Sequence, residues 1–307
     1  MLKKIISVFG LITLSLTLTS CVNQKTEHNK HTVMAQEPKI VVTSHATLMI
    51  FDKLGINLIA IPKTSKEIPE MYQGLQEIGT PMAPDSEAIA MLEPSDVVGP
   101  DTLIETIKPK YDAVGINATF IDIQSVEGLY DSIEMIGEKY GKQDEARSLI
   151  DDYNLTIDEF SKSIEGLNKP KVLVLMGLPG AYIACTPNSY VGSLIELAGA
   201  TNVVKVDTNE NFVSWNTEEL IELDPDIILL TAHGLPDLAM EMFTKEFSTN
   251  DVWKNFRAVE ELKVYSLDYN TFGMSATFEW KKAFKDLIEI FYGEKPESFL
   301  QEVEEDA

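Results

Sequence analysis

Two side chains able to bind iron stand in stiff surroundings. Met82 lies in Thr80-Pro81-Met82-Ala83-Pro84, and His233 lies in His233-Gly234-Leu235-Pro236. Proline fixes φ and lowers the disorder of a loop, so each loop can present its side chain rigidly. A thioether and an imidazole on opposite sides of a flat ligand suit haem iron, whose remaining ligands come from the macrocycle. That chemistry requires the two residues to reach one cleft from opposite walls.

Other donors compete for the role. His45 follows a first strand, Ile40-Val41-Val42, and also stands at a strand's carboxyl end. Tyr182 and Tyr190 could supply phenolate, although wall or core positions account for both. The chain has four histidines, and His28 and His31 fall in a polar stretch near the start. A three-histidine zinc site inside the domain is therefore excluded. The sequence contains no phosphate-binding Gly-x4-Gly-Lys-Ser/Thr, no Gly-x-Ser-x-Gly elbow and no His-Glu-x-x-His, so enzyme signatures are missing. Of the two cysteines, Cys185 sits in the apolar run Tyr182-Ile183-Ala184-Cys185 and reads as a small buried side chain. A disulfide framework is excluded.

The elements that must position these residues alternate between strand and helix, which implies parallel sheets built from βαβ units. One unit occurs twice. Glu87 to Pro94 and Glu218 to Pro225 both read Glu-x4-Leu-[Glu/Asp]-Pro, and each runs into an apolar strand. Each is a short amphipathic helix, a proline-marked stop and a buried strand. The copies lie too far apart for a solenoid and suggest one unit used once in each of two similar lobes. Between them, apolar residues recur at helical spacing from Leu129 to Leu167 with a break expected at Gly141. The second half, about 144–167, is expected to be a long amphipathic helix joining the lobes, which predicts little hinge motion. A glutamate in the first turn of a helix favours the macrodipole. The matched placement of Glu87 and Glu218 points further, to two basic sites on a two-fold symmetric partner.

Length and charge set outer bounds. At 307 residues and 44% hydrophobic content, the chain suits an α/β protein of one large or two ordinary domains. A formal charge of −24 argues against a nucleic-acid partner. At the N-terminus, Lys3 and Lys4 precede an apolar run from Ile5 to Leu18 and then Leu18-Thr19-Ser20-Cys21. These parts, in this order, make a lipoprotein signal peptide over residues 1–20, with diacylglycerol (and palmitate) expected on Cys21. The organisation expected is a lipidated cysteine and polar tether over 21–38, an N-terminal lobe over 39–128, a helical segment over 129–168 and a C-terminal lobe over 169–307.

With the lipobox, the two Glu-x4-Leu-x-Pro units and the bridging helix in hand, the chain resembles the helical-backbone (class III) substrate-binding proteins of ABC importers. Within that group, Glu77 to Pro84, Met176-Gly177-Leu178-Pro179-Gly180, Asn216-Thr217-Glu218, Asp224 to Leu229 and His233-Gly234 resemble the IsdE-type haem-binding lipoproteins. The resemblance covers nearly the whole chain after Cys21. It implies two similar α/β lobes with parallel-rich sheets joined by one long helix. It implies haem b (iron protoporphyrin IX) as the transported ligand, with Met82 and His233 as axial ligands. Glu87 and Glu218 would dock on permease arginines. The implied partners are an ABC permease dimer with its ATPase, an upstream surface haem-transfer protein and the membrane, at whose extracytoplasmic face the chain would be anchored as a monomer. The family pattern has no histidine at the place of His45. Met176, Tyr182, Phe272 and Met274 are expected to line the macrocycle alongside His45. A ferric siderophore or corrinoid on the same fold is the alternative ligand. A lipid-anchored enzyme or a receptor without transport is the alternative class.

Overall fold

The computed structural model describes residues 37–293, 296 and 298–301. The expected signal peptide, Cys21 and most of the tether lie outside the described residues. In the first lobe the order is β1 (Ile40–Val42), α1 (His45–Lys53), β2 (Ala60–Ile61), β3 (Gln76–Glu77), β4 (Gly79–Thr80), β5 (Ala83–Pro84), α2 (Ser86–Met91), β6 (Asp96–Pro100), α3 (Ile104–Ala113) and β7 (Ala118–Ile121). Five of these strands form a parallel sheet in the order β3-β2-β1-β6-β7. Strands β4 and β5 form a separate antiparallel hairpin.

Helices α4 (Val126–Tyr140) and α5 (Gln143–Ser163) follow. The break between them falls at Gly141, which takes the left-handed conformation that closes α4 (φ 72°). Helix α5 stops short of the expected 167, ahead of the left-handed Gly166. The second lobe contains β8 (Lys171–Leu178), β9 (Ala181–Cys185), α6 (Tyr190–Leu197), β10 (Thr201–Asn202), β11 (Phe212–Val213), α7 (Thr217–Ile221), β12 (Ile227–Ala232), α8 (Pro236–Thr249), α9 (Arg257–Glu260), β13 (Val264–Ser266) and α10 (Trp280–Tyr292). Its sheet runs β11-β9-β8-β12-β13, with β10 beside the start of β8; the antiparallel pairs involve β9.

The sequence repeat is a structural repeat. Asp85 caps α2 by accepting from Ala88 N at 2.9 Å, and Asn216 caps α7 by accepting from Glu219 N at 2.9 Å. Glu87 and Glu218 are therefore both the second residue of their helix, and both are exposed. Each helix ends in a left-handed residue before its proline, Glu93 (φ 49°) and Asp224 (φ 44°). The following turn then donates to the start of the neighbouring strand: Ser95 N to the O of Lys39, just ahead of β1, and Asp226 N to the O of Lys171, the first residue of β8, both at 2.8 Å. Even the ion pairs match, Lys39–Glu93 at 4.0 Å and Lys171–Asp224 at 3.8 Å.

The lobes share an interior. One apolar cluster contains Ile40, Phe51 and Ile133 from the first half and Val174, Leu194, Trp280 and Phe284 from the second. Helix α5 contributes to both sides. Tyr153 stacks on Tyr130 of α4 at 4.2 Å, and Phe160 stacks on Phe284 of α10 at 3.8 Å. Trp280 Nε1 donates to Tyr130 OH at 3.1 Å, and Ala276 N donates to Ile123 O at 2.7 Å. A second cluster, around Trp253 and Phe243, fills the outer face of the second sheet.

Candidate functional site

In a parallel α/β sheet, the carboxyl ends of the strands open onto the ligand crevice. Strand β1 leads through Thr43 and Ser44 into His45, the first residue of α1. Ser44 caps that helix by accepting from Thr47 N at 3.1 Å. The chain must pass close to β6 here. A Cβ on Gly99 would lie 2.3 Å from Thr43 Oγ1, so only glycine fits. His45 is half-buried and its Nε2 lies 2.9 Å from Glu67 O, which fixes the ring against the 63–69 loop and leaves Nδ1 uncommitted.

Strand β12 delivers His233 in the second lobe. Its backbone still donates to Gly177 O at 3.0 Å, so the residue is anchored to the sheet while its side chain is exposed. Desolvation nevertheless lowers the His233 pKa from 6.5, and the Lys66 ammonium pushes the same way. Burial also lowers the pKa of His45; the Glu67 carbonyl opposes this and Lys66 adds to it. Lys66 belongs to the first lobe, yet its charge reaches an imidazole on each lobe. One ammonium thus acts on both imidazoles.

Met82 is carried differently from expectation. The segment read as a loop is the β4–β5 hairpin, with register Gly79↔Pro84 and Thr80↔Ala83 and Pro81-Met82 as its turn. The thioether stands at the tip, 67% exposed. Among the described residues no hydrogen bond links Met82, His45 and His233, and no three His, Cys, Asp or Glu side chains gather as a site for a bare metal ion.

The residues named as walls divide. Met176 and Phe272 are at most 1% exposed within the shared core, and Thr231 Oγ1 donates to Phe272 O at 2.7 Å. Packing leaves neither with surface to offer a ligand. Tyr182 turns to the outer cluster, against Phe243 and Trp253, and its hydroxyl pairs with Thr217 Oγ1 at 2.7 Å. Met274 remains half-buried in the segment that reaches across to Ile123. Tyr190 is fully buried. Cys185 is buried, with its thiol pushed up to about 12, and is no nucleophile. Lys66, absent from the sequence reading, is the addition. Grooves elsewhere, between α5 and α10 and beside the starts of β8 and β12, hold neither thioether nor imidazole.

Two α/β lobes, each built on a parallel-rich sheet, joined by a helix and sharing a core, define a bilobal binding-protein fold. The chain belongs to the periplasmic binding protein family, whose model matches residues 40–271. Over 294 residues it is 35% identical to the high-affinity heme uptake system protein IsdE of Staphylococcus aureus, spanning 95% of this chain and 99% of that one. Among solved structures it is similar to an ABC transporter substrate-binding protein from Listeria monocytogenes. The TM-score is 0.79 at 40% identity, over 84% of this chain and 99% of that one. It is also similar to S. aureus IsdE complexed with heme, with a TM-score of 0.79 at 37% identity, over 84% of this chain and 100% of that one.

Proposed function

We propose that this protein binds haem between its lobes and hands it to a membrane permease of the ABC type. The reading is supported by two imidazoles that follow strand carboxyl ends, His45 after β1 in the first lobe and His233 after β12 in the second, with the Lys66 ammonium acting on both. Met82 and His233 would supply thioether and neutral imidazole to the two axial positions of haem b. Two protein ligands are too few for a bare cation and enough for an iron that already holds four nitrogens. Lys66 offers an ammonium to a propionate, and His45, pinned through Nε2, offers a further polar contact. Nothing in the cycle makes or breaks a bond in the ligand. The named relatives, a heme uptake protein and an ABC transporter substrate-binding protein, support the same assignment.

Glu87 and Glu218, exposed at equivalent positions of equivalent helices, suit two basic sites on a permease dimer driven by its ATPase. Cys21 would carry the lipid that holds the chain, as a monomer, at the extracytoplasmic face, where a surface haem-transfer protein would load it. Haem titration of the chain after Cys21 tests the central reading. A Soret band that saturates at one haem per chain and changes in His233→Ala supports it. A chain that takes up a ferric siderophore or corrinoid and no haem refutes it. Glu87→Arg with Glu218→Arg should spare binding and abolish import.

A further inference from the structure

Four non-glycine residues among those described take a left-handed backbone: Glu93, Asp224, Leu235 and Leu262. Three of them close helices. Glu93 N returns to Ala90 O, Asp224 N to Ile221 O and Leu262 N to Val259 O, which is the ordinary use of that conformation. Leu235 (φ 43°) instead opens one. It is the N-cap of α8, where extended backbone and a Ser, Thr, Asp or Asn side chain are the rule, and it caps nothing. Gly234 before it is also left-handed, so the chain makes two such steps between His233 and Pro236.

Burial does not explain the leucine. Leu235 is 63% exposed, and Leu238, one turn on, is 45% exposed. Glycine would adopt this backbone without strain, and asparagine would tolerate it and could cap. A large apolar side chain is thus held out, at a conformational cost, two residues after the imidazole. We infer that Leu235, with Leu238 beside it, is the apolar cover of the bound porphyrin on its His233 side. The inference rests on the haem reading above. Leu235 packs on the macrocycle and keeps water from the iron–imidazole bond, so the apolar surface it exposes in the free protein is covered when the ligand arrives.

Leu235→Gly separates this role from a structural one because its two effects have opposite sign. Relieving the strain should raise the melting temperature of the haem-free protein by about 2–4 °C. Haem loss to excess apomyoglobin should speed up about tenfold or more. Leu238→Ser should accelerate loss less while leaving the melting temperature near that of the parent. Haem loss from Leu235→Gly within about twofold of the parent overturns the inference and leaves the haem reading standing. A lower melting temperature with unchanged loss makes Leu235 a structural residue and also overturns it. A parent chain that gives no Soret band removes the haem reading and this inference with it.

Discussion

The imidazole of His233 must be neutral to bind iron, and its surroundings keep it so. Burial first and Lys66 second hold its pKa below 6.5, and His45 is depressed as well. The unfolded chain therefore takes up protons at higher pH than the folded one does. The stability contributed by these two neutral rings is complete above about pH 6.5 and drains as pH falls from there through the lowered folded values. With His233 on the iron, haem affinity would follow the folded value. It should stay level as pH drops past 6.5 and then fall about tenfold per unit below the depressed pKa, measured by Soret titration from pH 8 to pH 4. Level affinity to pH 4 would take His233 off the iron. Met82→Ala should shift the Soret band and weaken binding, yet change chemical-denaturation stability by no more than about 0.5 kcal/mol, because the side chain is exposed. Met82, His233 and His45 stood out as candidates through residue type and proline-flanked or strand-end context. Lys66 was not: one lysine in a polar loop carries no signal until the fold brings it near both rings. Tyr182, on a strand packed on both faces, gave no sign of which face it takes.

Element by element, the matched helices α2 and α7 were readable because cap, glutamate, leucine and proline repeat in register. The hairpin that holds Met82 was not, since two-residue strands are too short for any alternation to show. Its geometry depends on Gly79. That residue is left-handed (φ 93°), and a Cβ there would lie 2.6 Å from Ala83 O. Gly79→Ala should therefore open the turn and weaken haem binding about as much as Met82→Ala, although residue 79 touches no ligand. Unlike Met82→Ala, it should also lower stability by more than about 1 kcal/mol. Native binding in Gly79→Ala would show that the hairpin does not set the thioether. The hairpin ends at Pro84 and Asp85 caps α2, so the turn that carries Met82 and the exposed Glu87 belong to one short continuous piece of chain.

At the scale of the molecule, helical spacing and Gly141 announced α4 and α5, while their place in a common interior followed only from packing. The stacked pairs Tyr130–Tyr153 and Phe160–Phe284 fasten α5 to the halves on either side. Haem binding should therefore leave the radius of gyration unchanged within error in small-angle scattering; a contraction beyond error would reveal a hinge. Trp280 is fully buried and bonded to Tyr130, so Trp280→Ala should cost about 3–5 kcal/mol in denaturant unfolding. With a net charge of −24, docking on a basic permease surface should weaken as ionic strength rises.

The common interior also bears on how this protein comes apart. An apolar surface completed by both halves cannot be kept by either one alone, so neither half is an autonomous folding unit. Heat should produce one calorimetric peak whose van't Hoff and measured enthalpies agree. A fragment cut within the Gly141–Lys142 joint should aggregate rather than persist as a small independent domain.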